Sequence, residues 1–115
     1  MRLCTALCLL ASPILADPPV IESASARKTS GGWNIDVTLS HPDTGWDHYA
    51  DGWRVLGPDG KELGLRSLLH PHETEQPFTR SLNDVRISDA VRTVWIQARC
   101  NRDGWAEPTP AIGLR

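Results

Sequence analysis

Residues 33–40 alternate without a break. Trp33, Ile35, Val37 and Leu39 take one side, and Asn34, Asp36, Thr38 and Ser40 take the other. A period of two gathers every apolar side chain on one face of an extended strand, which a helix cannot do. One face is then buried and the other is polar, the pattern of an antiparallel sheet. Residues 91–100 repeat it, with Val94, Ile96, Ala98 and Cys100 on one face and Trp95 on the other. No stretch shows a convincing helical period.

Shorter runs complete an all-β chain. Residues 20–22 read as a short first strand after Asp17-Pro18-Pro19, and residues 23–32 as a polar connection ending in the Gly31-Gly32 turn. Residues 52–56 and 62–69 flank Gly57-Pro58-Asp59-Gly60, a hairpin signal, with Gly64 a candidate bulge. Residues 78–82 form a short strand, Asn83-Asp84 a turn and residues 85–87 a brief pairing. Pro108 and Pro110 predict an extended, loosely held tail. Short strands at close spacing with turns between them predict an immunoglobulin-like antiparallel β-sandwich.

The first residues read as a targeting segment. Arg2 precedes an apolar run over residues 3–15, broken only by Thr5, Ser12 and Pro13 and followed by Ala16 and a polar residue. This is the layout of a cleaved secretory signal over residues 1–16, favoured over a buried N-terminal helix and over a lipoprotein cysteine at Cys8, which almost no apolar segment precedes. The run falls short of the about 20 apolar residues that span a bilayer. Residues 17–115 then make one small domain, periplasmic or secreted. The net charge is −2, with no basic stripe, which argues against nucleic acid or an acidic membrane surface as partner.

Cysteine counting narrows the chemistry. Cys4 and Cys8 leave with the signal, so the domain keeps Cys100 alone and cannot form an internal disulfide. A single thiol in an exported domain is a buried small hydrophobe, a metal ligand or a reactive group. Its neighbours favour the metal. Residues 41–53 hold His41, His48, Asp43, Asp47, Asp51, Trp46, Tyr49 and Trp53; residues 100–105 read Cys-Asn-Arg-Asp-Gly-Trp. His41 and Cys100 each close a strand, so strand ends at one pole would let them converge. Imidazoles with one thiolate suit iron, zinc or copper. His70 and His72 flank Pro71 and form a second imidazole pair, on a loop of its own. Trp46, Trp53 and Trp105 would wall such a site. The bland alternatives are a strand-ending His41, a loop His48 stacked on Trp46, an ordinary Asp103-Gly104 turn and tryptophans that only pack.

The order of these residues resembles the superoxide reductases of the neelaredoxin and desulfoferrodoxin type. Those proteins carry a His-Pro pair, then His-Tyr or His-His with a tryptophan after it, then Cys-Asn-x-His-Gly near the C-terminus. This chain has His41-Pro42, His48-Tyr49, Trp53 and Cys100-Asn101-Arg102-Asp103-Gly104-Trp105, and Pro19-Val20-Ile21-Glu22 resembles the family's first strand. The resemblance implies an immunoglobulin-like sandwich holding one non-haem iron by four histidines and an axial thiolate. It implies superoxide reduced to hydrogen peroxide, with an electron-donor protein as partner. His41, His48 and Cys100 match ligand types, and Tyr49 and Asn101 match their neighbours. Asp103 stands where the family has a histidine. Asp17 falls near the family's first histidine, and the Glu-Lys pair before it has no counterpart. The gaps from His41 to His48 and from His48 to Trp53 are each one residue longer. Asp103 and Asp17 as carboxylates, or His70 and His72, are the substitutes at hand.

A second resemblance gives the alternative. SoxZ, the β-sandwich subunit of the thiosulfate-oxidising carrier complex, has a similar His-Pro-x-x-Thr-Gly turn and Asn-Pro-Phe strand start; here these are residues 41–45 and Gln76-Pro77-Phe78. It implies a non-catalytic interaction module that meets a partner protein through the 41–53 loop, with Cys100 in the core.

Overall fold

The computed structural model describes residues 17–114, and every regular element among them is a strand. The secretory-signal reading falls on residues 1–16, outside the described residues. The strands are β1 (Val20–Thr29), β2 (Gly32–Ser40), β3 (Ala50–Leu56), β4 (Glu62–Ser67), β5 (Phe78–Val85), β6 (Thr93–Cys100), β7 (Gly104–Trp105) and β8 (Ala111–Gly113). They form two antiparallel sheets, β1-β2-β5 and β4-β3-β6-β7, with β8 also beside β6. The all-β sandwich read from the alternation is what the chain adopts.

The core lies between the sheets and is built by the alternating faces. Ile35, Val37 and Leu39 of β2 are fully buried against Val94 and Ile96 of β6 and Trp53 and Val55 of β3, with Phe78 of β5 closing one end. Each such side chain contributes roughly 1.5–3 kcal/mol by leaving water. Cys100 continues the buried face of β6 and has no exposed surface.

Three expectations are corrected. β1 runs on to Thr29 rather than ending near Glu22. Its inward positions include Ala24 and Ala26, which pack on the core but are too small to signal a strand. Asn83-Asp84 is no turn: β5 continues through it, with a register shift opposite Trp33 and Ile35 and Asp84 at φ 58°. An aspartate tolerates that left-handed backbone better than most residues. The tail is tied down, since β8 pairs with Thr93, Val94 and Trp95 of β6. The bulge expected at Gly64 falls beside it, where β3–β4 pairing passes from Val55↔Gly64 to Leu56↔Glu62.

Strand register places the loops that matter. Leu39 pairs with Phe78, Gly52 with Ser67 and Ala50 with Cys100. The ends of β2, β4 and β6 and the starts of β3 and β5 therefore share one pole. Residues 41–49, 68–77 and 101–103 all lie there. Val20 pairs with Ser40, so Asp17 precedes β1 at the same pole.

Candidate metal centre

At that pole His41, His48 and Cys100, all buried, offer ligand atoms within 4.8 Å of one another. Donors bound to one ion at about 2.0–2.3 Å lie no more than about 4.5 Å apart, so a small side-chain adjustment would bring all three onto a single ion. The His41 and His48 rings meet edge to face at 4.8 Å. Cys100 arrives from β6, which carries it inward as the next residue after Ala98 on the buried face. His41 leaves β2 in the same way from the other sheet.

The loop between the histidines is held by its own backbone and by Asn101. Thr44 N–H donates to the His48 carbonyl at 3.0 Å, and His48 N–H to the Gly45 carbonyl at 3.1 Å. Gly45 has φ 139°, in the region that favours glycine. The Asn101 side chain accepts from Tyr49 N–H at 2.9 Å and donates to the Trp46 carbonyl at 3.0 Å; its backbone N–H donates to the Tyr49 carbonyl. Asn101 thus locks the 41–49 loop to the end of β6, one residue from the thiol.

Behind His41 stands Asp43. Its Oδ1 accepts from His41 Nδ1 at 2.6 Å and from Ala50 N–H at 3.0 Å; its Oδ2 accepts from His72 N–H at 2.7 Å. Neither the His41 nor the Asp43 side chain has exposed surface. In the neutral ring the carboxylate favours the proton on Nδ1, which puts the lone pair on Nε2. A carboxylate supporting an imidazole in this way is a recurrent arrangement behind metal-binding histidines. His41 Nε2 and His48 Nε2 are both buried without a hydrogen-bond partner. An unsatisfied buried polar atom costs about 1–3 kcal/mol, and coordination of a cation satisfies both nitrogens at once.

The other expected residues divide. Asp103 Oδ2 is 3.7 Å from His48 Nε2, too far for a hydrogen bond, and its side chain is 26% exposed at the rim. Asp17 is exposed, and it lies outside the cluster with His70 and His72. His70 is exposed, with Nδ1 3.1 Å from the Pro71 carbonyl. His72 is buried, stacks on Phe78 at 3.9 Å and takes Arg80 at Nε2 over 3.0 Å. Burial holds its imidazole below the usual histidine range, with the Arg80 and His70 charges adding to the effect and Asp43 and Glu75 opposing it. Among the described residues two imidazoles and the thiol converge and the second histidine pair stands outside that cluster, so the five-ligand set that the superoxide reductase resemblance implies is not brought together.

The expected aromatic wall is also different. Trp53 is wholly buried in the apolar core. Trp105 lies over Arg54, 3.9 Å from its guanidinium, with Arg99 at 5.7 Å. Trp46 is 68% exposed and meets Tyr49 edge on at 5.7 Å. Asp43 was one carboxylate among several in the sequence, and its role was missed. The one signal for it is position, two residues after a histidine that ends a strand. Gln76, which accepts from His41 N–H at 3.0 Å and donates to the His72 carbonyl at 2.7 Å, carried none.

Fold and site together define a class: an all-β sandwich domain with a buried two-histidine, one-cysteine cluster at one pole. No family model matches the chain, and no solved structure matches it. It is similar to a protein of Halomicrobium mukohataei described as "Putative lipoprotein", with 50% identity over 80 residues, or 68% of this chain. The matched segment is 39% of that relative, so the chain spans well under half of its length.

Proposed function

We propose that this is an exported metalloprotein domain in which His41, His48 and Cys100 hold one transition-metal ion. One observation carries the reading: two buried imidazole nitrogens without partners stand beside a buried thiol, and the first is fixed by Asp43. A core that only needed packing would fill this pole with aliphatic side chains, since partnerless imidazole nitrogens cost stability. Export is supported by the signal-like residues 1–16 and by the relative whose description is that of a lipoprotein. Periplasmic or secreted is the narrower form.

The superoxide reductase resemblance makes the reading more specific. It adds iron as the ion, superoxide as substrate and an electron-donor protein as partner. His41, His48 and Cys100 fit that set in kind, with Asp103 the nearest further donor. The missing imidazoles do not.

The non-catalytic interaction module is the second reading. Trp46, 68% exposed on the loop that leads into β3, favours it as a contact for a partner protein. Elemental analysis separates the two. Protein produced in metal-rich medium is expected to carry about one equivalent of a transition metal, and Cys100→Ser to lose it. Metal-free protein of unchanged stability in both forms supports the interaction module instead. Superoxide consumption by the loaded protein, with and without Cys100, tests the narrower activity.

A further inference from the structure

We propose that the ion this site selects is copper, held by His41 Nε2, a His48 ring nitrogen and the Cys100 thiolate. This rests on the metal-binding reading above and adds the identity of the ion.

The number of convergent donors decides it. Among the described residues three ligand atoms meet, and all three belong to buried residues. Iron in the arrangement implied by the resemblance takes four imidazoles and a thiolate. The two further imidazoles do not join them: His72 has its Nε2 on Arg80, its ring on Phe78 and its Nδ1 4.0 Å from Asp43 Oδ2, and His70 lies in an exposed loop. Structural zinc takes four protein ligands, and catalytic zinc three and a water. Of the carboxylates beside the cluster, Asp43 is taken up by His41 Nδ1 and two backbone N–H groups, and Asp103 stands 3.7 Å from His48 Nε2 at the rim. Two imidazoles with one thiolate in a trigonal array form the donor set of copper electron-transfer sites, and a soft thiolate favours Cu(I). Copper also lies at the top of the affinity order for divalent first-row metals.

Burial points the same way. The His41 side chain and Cys100 have no exposed surface, and the His48 side chain keeps 10%. The three donors are therefore screened from bulk water. Rigidity adds to this. Asp43 is gripped by Ala50 N–H and His72 N–H as well as by His41, so one imidazole is fixed in position. Asn101 fixes the loop that carries the other. A site held open at three-coordination from both sheets suits an ion that accepts three ligands.

The test is a competition. Metal-free protein receives equal amounts of Cu(I), Fe(II) and Zn(II) without oxygen, is desalted and is analysed for each element. It is then oxidised with ferricyanide and its visible spectrum recorded. One equivalent of copper and a strong thiolate-to-Cu(II) band are expected, both lost in Cys100→Ser and in His48→Gln. The second variant lies on the less enclosed side of the cluster, and circular dichroism checks that each is folded. Iron or zinc retained in place of copper overturns this inference and leaves the metal-binding reading standing. Copper held equally by both folded variants also overturns it, because the ion would then sit elsewhere. Retention of no metal overturns both.

Discussion

Two histidine pairs share one pole of the sandwich, and they meet different ends. The rings of His41 and His48 are 4.8 Å apart, and those of His70 and His72 are 4.5 Å apart. In sequence the second pair is the more compact, since only Pro71 separates its members. In the fold the first pair, with one partnerless nitrogen on each ring, converges with a thiol, while His72 has its Nε2 taken by Arg80, its face covered by Phe78 and its partnerless Nδ1 4.0 Å from Asp43 Oδ2. Nearness of two imidazoles therefore does not make a site. What matters is whether other donors converge on a nitrogen that is still free. The pairs are also linked, since Asp43 accepts from His41 through one oxygen and from the His72 backbone through the other.

The sharpest way to break this contrast is to remove one imidazole from each pair. His41→Gln is expected to abolish metal retention, and His70→Gln to leave it unchanged, as measured by metal content after dialysis. Equal loss in both would mean that the second pair also ligates. Asp43→Asn should have an intermediate effect. It keeps the shape of the carboxylate but weakens the hold on His41 Nδ1, so metal affinity falls by about 10–100-fold, read from a chelator competition. Affinity unchanged in Asp43→Asn would remove the carboxylate from the account.

The main frame of the sandwich was legible because alternation reports burial directly. Residues 33–40 and the run ending at Cys100 put large apolar groups at every second position, and both became core strands. β1 was truncated because Ala24 and Ala26 bury little surface and so leave a faint pattern. The Asn83-Asp84 bulge looked like a turn because the same residue types serve both. For the site, the convergence of His41, His48 and Cys100 could be anticipated, since each closes or follows a strand and register sets where strand ends meet. Asn101 was expected beside the site through the resemblance, though not the groups it holds; the roles of Asp43 and Gln76 could not be anticipated. Hydrogen bonds between loops depend on backbone positions that no local pattern encodes.

The smallest effect expected concerns protons rather than metal. His72 is neutral in the fold because burial and the adjacent Arg80 disfavour a second positive charge, and the Arg80 guanidinium donates to its Nε2. In the unfolded chain the same ring titrates near the ordinary histidine value, about 6.5. The folded value lies below the unfolded one, so the unfolded state binds more protons between them. Stability is thus full above about pH 6.5 and declines as pH falls toward the folded value. His72→Gln removes that titration while keeping a polar side chain at the position. Urea unfolding of the metal-free protein at a series of pH values between neutral and mildly acidic should show the wild type losing stability more steeply on acidification than the variant. Parallel curves would mean that His72 is charged, or equally free to charge, in the fold, and the contrast between the two histidine pairs would then lose its electrostatic half.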